Sequence, residues 1–316
     1  MATTSTHAHV SDPRNEHILV YVNGELRPRP EAVVSVFDSG FVLGDGVWEG
    51  LRVHRGHPAF LDRHLDRLYE GAAAIALDVG MTRAELTEAV YATLRANDMA
   101  DGVHVRLMVT RGVKATPYQD PRATIGPATV VIVAEHKEPL PSAATEGITL
   151  FTVHVRRGAP DVLDPELNAH SKLNDITACV QAYTAGADEA LMLDPNGFVA
   201  TCNSTHFFVV RHDDAGEPEV WTSGGQYCLG GITRGNVLRV RREAGIAAYE
   251  RTFSLTDVYG ADEAFVTGTF AGLVPVRTVD GRTIGDGRRG PTTEWLQRLY
   301  AGLVDRDVTA REARRG

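Results

Sequence analysis

The segment Glu135–Gly147, EHKEPLPSAATEG, carries two prolines and little apolar content between stretches of strand-like sequence, which makes it the best interdomain linker in the chain. It places a boundary near residue 139. The 316 residues then divide into a disordered polar tail over 1–16, a small α/β domain over 17–138 and a larger domain over 139–316. A chain of this length exceeds what one hydrophobic core usually organises, so two cores are expected.

Periodicity gives each part its elements. Ile18–Glu25 is an apolar run ending in Asn23-Gly24, the dipeptide that hairpin turns favour because both residues tolerate positive φ. From Asp62, a candidate N-cap, Leu65, Leu68, Tyr69, Ala72, Ile75 and Ala76 follow helical spacing. Thr82-x-x-Glu85 is a capping box opening a helix to about Ala96, and β-branched strands follow over 103–110 and 129–134. Beyond the linker come a strand over 148–155, a helix after Lys172 and a hairpin through Pro195-Asn196-Gly197 with more strand at 207–211. Helices over 236–244 and 292–304 bracket a strand at 264–267. The mix predicts two α/β domains meeting at a cleft.

Composition narrows the functions. A net charge of -9 leaves no electrostatic footprint for nucleic acid or an anionic membrane. No apolar run is long enough to span a bilayer, and Met1–Arg14 lacks a signal peptide's apolar core. Cys179, Cys202 and Cys228 form neither a disulfide framework nor a zinc pair, so a reducing cytoplasm is the expected home and no metal site is expected. Of 32 basic residues only Lys114, Lys137 and Lys172 are lysines. Chemistry that needs a primary amine has three candidates.

Gly230-Gly231-Ile232-Thr233-Arg234 precedes a helix, where free backbone N–H groups, a hydroxyl and the helix dipole together suit a phosphate. Two glycines before a helix are more often a plain turn, and Thr267-Gly268-Thr269 is equally ambiguous. Arg67 could add a fixed charge to such a pocket. Lys172, in Asn168-Ala-His-Ser-Lys-Leu-Asn174, lies between a loop and a helix, a place where an amine can be presented to an aldehyde.

The order Asp45-Gly-Val-Trp-Glu49-Gly50, His64-x-x-Arg67-Leu68, Lys172, Gly231-Ile-Thr233-Arg234, Thr267-Gly-Thr269 and Pro275-Val-Arg277 resembles the class IV aminotransferases, the fold type IV pyridoxal 5'-phosphate enzymes. The family includes branched-chain and D-amino-acid aminotransferases and aminodeoxychorismate lyase. The resemblance covers about Ile18 to Val304. It implies that Lys172 is the Schiff-base lysine and the acid–base catalyst. It assigns the phosphate to Arg67, Ile232, Thr233 and Thr269, packs Leu229 against the cofactor ring, and makes Phe270 and Ala271 part of the turn that receives a substrate carboxylate. Arg106 falls where branched-chain enzymes have an arginine near the substrate; a structural ion pair on a strand is the equal alternative.

Three departures stand out. Thr201 occupies the place of the acid that in this family pairs with the pyridine nitrogen, within Thr201-Cys-Asn-Ser-Thr-His206. Leu43 replaces a pocket tyrosine of the branched-chain enzymes, and the D-amino-acid enzymes' Arg-x-His trap has no match in Lys114–Gln119. The helix after Lys172 is about one turn shorter than the family's. The expected activity is amino transfer between an amino acid or amine and a 2-oxo acid, with the branched-chain type favoured by apolar Phe41, Leu43 and Trp48. A lyase or racemase of the same fold, or a degenerate cofactor binder, is the alternative. The resemblance further implies a homodimer.

Overall fold

The computed structural model describes residues 5–315. They form two compact units. The N-terminal unit contains residues 10–138, 167–172 and 306–315; the C-terminal unit contains 5–9, 139–166 and 173–305.

In the N-terminal unit, strands β1 (Leu19–Val22), β2 (Glu25–Pro28), β3 (Gly46–His54), β4 (His57–Pro58), β5 (Val103–Thr110) and β6 (Thr129–His136) form one antiparallel sheet in the order β2-β1-β6-β5-β3-β4. The β1–β2 turn is Asn23-Gly24, both residues at positive φ, as the sequence requires. Along β5 the fully buried Val103, Val105, Leu107 and Val109 alternate with more accessible residues, so one face of the sheet is apolar. After α1 (Ser39–Leu43), helices α2 (Leu61–Ala74) and α3 (Arg83–Ala96) supply Leu61, Leu65, Leu68, Leu86, Val90 and Leu94 to the core against that face. The capping box of Thr82 and Glu85 is present at the start of α3.

Asp62 does not cap α2. The helix begins two residues earlier than that cap would set it, at Leu61; Phe60 holds the N-cap position at φ 56°, and its N–H donates to Asp307. Already inside the first turn, Asp62 places its carboxylate at the positive end of the helix, 3.1 Å from Arg311.

The C-terminal unit is built on β7 (Ile148–Thr152), β8 (Glu189–Leu193), β9 (Val199–Cys202), β10 (His206–His212), β11 (Pro218–Thr222), β12 (Ala247–Glu250), β13 (Glu263–Gly268), β14 (Gly272–Val279) and β15 (Arg282–Thr283). Their order is β12-β11-β10-β13-β14-β7-β8-β9, with β15 also on β14; β7 runs parallel to both β8 and β14, and β11 to β12. The helices are α4 (Pro141–Glu146), α5 (Pro160–Leu163), α6 (Leu173–Thr184), α7 (Ile232–Glu243), α8 (Leu255–Tyr259) and α9 (Pro291–Arg315), whose residues from 306 on belong to the N-terminal unit.

Three sequence expectations shift. Helix α7 starts at Ile232 rather than Asn236, so Ile232 and Thr233 belong to its first turn. Helix α9 runs on past Val304; Val308 is fully buried and Arg311 pairs with Asp307 and Asp62, a single apolar anchor and ion pairs that no apolar stripe announced. The tail expected over 1–16 lies partly outside the described residues, but over 5–16 the chain is structured: Thr6 is buried and Asp12 caps the 3-10 turn Pro13–Glu16.

Candidate active site

In the N-terminal unit the segment before Lys172 is laid along β3 as an additional partner. Trp48 N–H donates to the Asn168 carbonyl at 3.0 Å, the Asn168 amide returns a bond to the Trp48 carbonyl at 2.6 Å, and His170 N–H donates to the Gly46 carbonyl at 2.9 Å. The Ser171 hydroxyl donates to the Gly44 carbonyl at 3.1 Å. Both neighbours crowd position 46, where a Cβ would lie 2.5 Å from the Val109 carbonyl oxygen on β5 and 3.0 Å from the His170 ring. Lys172 is thus delivered half-buried, its Nζ 5.6 Å from the centre of the Trp48 ring. Arg106 stacks on the same ring at 3.7 Å. Burial lowers the Arg106 pKa and, with help from the Arg106 and Lys172 charges, that of His170. Two cations over one indole make a face suited to a carboxylate. Phe41 is 70% exposed and Leu43 half-buried, both on α1.

Arg67 has a partner that the sequence reading missed. Its Nε and Nη2 donate to the two oxygens of Glu49 at 2.7 Å, and His64 Nδ1 donates to Glu49 at 2.7 Å. Glu49 is fully buried. Burial alone would push its carboxyl up, but the Arg67 charge and the bonds from His64 and Arg67 outweigh this and hold it below its ordinary 4.5. The bidentate edge of Arg67 is therefore spent inside the protein, on a buried carboxylate. A charged residue in the middle of the apolar run of β3 was the available signal.

In the C-terminal unit α7 opens at Gly231 with no side-chain cap and no acidic residue in its first turn. Thr233 is buried, its hydroxyl 3.5 Å from that of Tyr300, and Ile232 is half-buried. Arg234 is structural: Nη2 donates to the Ser223 carbonyl and to Glu250, both at 2.7 Å. Among the described residues Thr267 Oγ1 is buried without a hydrogen-bond partner. Thr269, Phe270 and Ala271 form the turn between β13 and β14, with Phe270 buried. Uncapped amides of a twelve-residue helix and an orphaned hydroxyl fit a phosphate.

Thr201 is buried on β9 and donates its only proton to the Thr205 carbonyl at 2.9 Å. Its oxygen can accept one bond more, so toward a ring nitrogen it is an acceptor and not a donor. On β8, whose Met192 is the residue paired with Thr201, Glu189 accepts hydrogen bonds from the hydroxyls of Thr205 and Thr6. Burial pushes the Glu189 carboxyl up to about 7, against the pull of the Thr205 and Ser204 hydroxyls.

Between pH 4.5 and 7 the folded protein therefore holds a proton at Glu189 that the unfolded chain releases, and stability should fall as pH rises through that window. Glu189→Gln should melt like the native protein at pH 4.5 and be more stable at pH 8, by on the order of 3 kcal/mol. Parallel melting curves of the two proteins across this range would mean that Glu189 ionises normally.

The chain belongs to the class IV aminotransferases: the family model "Amino-transferase class IV" matches residues 46–279. Over 293 residues it is 41% identical to branched-chain-amino-acid aminotransferase-like protein 2 of Arabidopsis thaliana, covering 93% of this chain and 51% of that protein. A putative branched-chain-amino-acid aminotransferase of Methanocaldococcus jannaschii is 40% identical over 284 residues, 90% of this chain and 96% of its own. The chain spans about half the length of the Arabidopsis relatives and nearly all of the Methanocaldococcus one. A solved T.th. branched-chain amino acid aminotransferase with pyridoxamine 5'-phosphate superposes at TM-score 0.84 with 30% identity, covering 91% of this chain and 94% of that one. The α/β fold expected from the sequence is this family's fold.

Proposed function

We propose that the protein is a pyridoxal 5'-phosphate-dependent aminotransferase of branched-chain type, exchanging an amino group between an amino acid or amine and a 2-oxo acid. The observation that carries this is the ladder of bonds from β3 to Asn168–Ser171, which presents the Lys172 amine beside Trp48 and Arg106. The cofactor would supply an electrophilic aldehyde and a ring able to accept an electron pair. Lys172 Nζ would hold that aldehyde until the substrate's amine displaces it, and the freed Nζ would then carry the proton removed from the substrate's Cα. The α7 amides at Ile232 and Thr233, the Thr233 hydroxyl, Thr269 and Arg67 would hold the phosphate, with Leu229 against the ring. Arg106 attracts a carboxylate, and Phe41, Leu43, Trp48, Phe270 and Ala271 supply the remaining substrate contacts.

One feature favours a second reading. With Thr201 in the acid's place, a neutral hydroxyl oxygen stands where a carboxylate's charge would hold the proton on the ring nitrogen. A slow transfer, or a lyase or racemase reaction, follows from a weaker electron sink. The test is to add L-amino acids, D-amino acids and amines in turn to the yellow holoprotein. A transaminase bleaches the band with one class of donor and yields the matching 2-oxo acid, or the ketone or aldehyde of an amine donor, in amount equal to cofactor. A band that no donor changes identifies an inert binder, and enantiomer or elimination products identify the other reactions.

A cytoplasmic homodimer completes the reading. On α6 the side chains of Leu173, Ile176, Val180 and Tyr183 follow helical spacing and are between 53% and 77% exposed, an apolar stripe that a second copy would cover.

A further inference from the structure

The Leu229 carbonyl accepts two hydrogen bonds, one from Gly231 N–H and one from His206 Nε2–H, each at 2.7 Å. The first closes a three-residue turn, and the second ties that turn to the first residue of β10. A carbonyl only accepts, so the ring carries a proton at Nε2. Gly231 has φ -64° and ψ 128°, a conformation open to any residue, so no backbone demand explains the glycine. Space explains it. A Cβ at position 231 would lie 2.3 Å from Cε1 and 2.7 Å from Nδ1 of His206. Immediately after Gly231 come the uncapped amides of α7, and across the ladder from His206 stands Thr267 with its orphaned hydroxyl.

We propose that His206 is a positioning residue for the anion site: it sets the Leu229–Gly231 turn, and Gly231 is the fitted space for its ring, so that the α7 amides point at the cofactor's phosphate. This rests on the reading that α7 holds that phosphate. Backbone donors cannot re-aim as a side chain does, so a turn that relaxes moves every amide behind it. His206 acts through the turn and needs no contact with the substrate.

The experiment compares apoprotein binding of pyridoxal 5'-phosphate with that of pyridoxal, which lacks the phosphate, by absorbance titration. His206→Ala should weaken pyridoxal 5'-phosphate roughly tenfold, the worth of one lost hydrogen bond that orders the turn, and leave pyridoxal unchanged. Gly231→Ala, which forces the ring aside, should weaken it by roughly tenfold or more. The double variant should bind no worse than His206→Ala alone, because the clash has lost its partner. Equal losses for both ligands, native affinity in either single variant, or additive losses in the double variant would overturn the proposal. Gly231→Ala carries the test by itself should His206→Ala fail to fold. Thr233→Ala is the control for the underlying reading: if it leaves pyridoxal 5'-phosphate affinity unchanged, the phosphate lies elsewhere and both readings fall. A Thr233→Ala loss beside an unaffected His206→Ala refutes only the role of His206.

Discussion

Lys172→Ala should lose at least about 1,000-fold in transamination rate, a barrier increase of about 4 kcal/mol, because no other lysine can take its place. Lys114 is 1% exposed and its Nζ donates to the Asp120 carbonyl at 3.0 Å, so its amine is closed to an aldehyde. Lys137 follows the end of β6, and its N–H is bound to the Gly102 carbonyl. Lys172→Arg separates charge from chemistry, since it keeps a cation near Trp48 but supplies no nucleophile. Both variants should be comparably inactive, and borohydride reduction of the native holoprotein should fix the cofactor on the peptide containing Lys172. Label on Lys114 or Lys137, or an active Lys172→Arg, would remove the basis of the proposed mechanism.

Glu49→Gln and Arg67→Ala should each destabilise the apoprotein by about 3 to 5 kcal/mol, since each strands a buried charge that its partner had compensated. Glu49 is fully buried and accepts from both Arg67 and His64, so the amide would leave the guanidinium without a counter-ion. This differs from a residue that only holds phosphate, whose loss would weaken cofactor binding and leave apoprotein melting untouched. The pH dependence carries a sign. The Glu49 carboxyl is held below its ordinary 4.5, so its contribution is present above that value and disappears as pH falls toward the folded-state pKa. Native protein should therefore lose stability on acidification through this window more steeply than Arg67→Ala. Apoprotein melting that is the same in native and Arg67→Ala protein would return Arg67 to a phosphate-binding role alone.

The elements with strong local signals were legible from the chain alone. Asn23-Gly24 declared its hairpin because both residues must take positive φ, and Thr82 with Glu85 declared the start of α3 because the capping bonds are local. The order of short motifs carried the family, which the match over residues 46–279 bears out. Counting reduced the candidate side-chain amines to three lysines, and the resemblance pointed among them to Lys172. These readings depend on residues within a few positions of one another, on the order of motifs along the chain, or on composition, and none requires a fold.

What only the tertiary structure decided are pairings across long separations. Arg67 was read as a cation for phosphate, and its partner Glu49, on a different element, has taken the bidentate edge. Asp62 looked like a cap until Asp307 and Arg311 at the far end of the chain set the start of α2. The glycine at 231 read as part of a plain turn, whereas its backbone is ordinary and a Cβ there would meet the ring of His206. Thr6, in what the sequence presented as a tail, is buried against Glu189. In each case the deciding quantity is the desolvation or crowding of a polar or small residue by a distant one, and that energy exists only when the fold brings the two together.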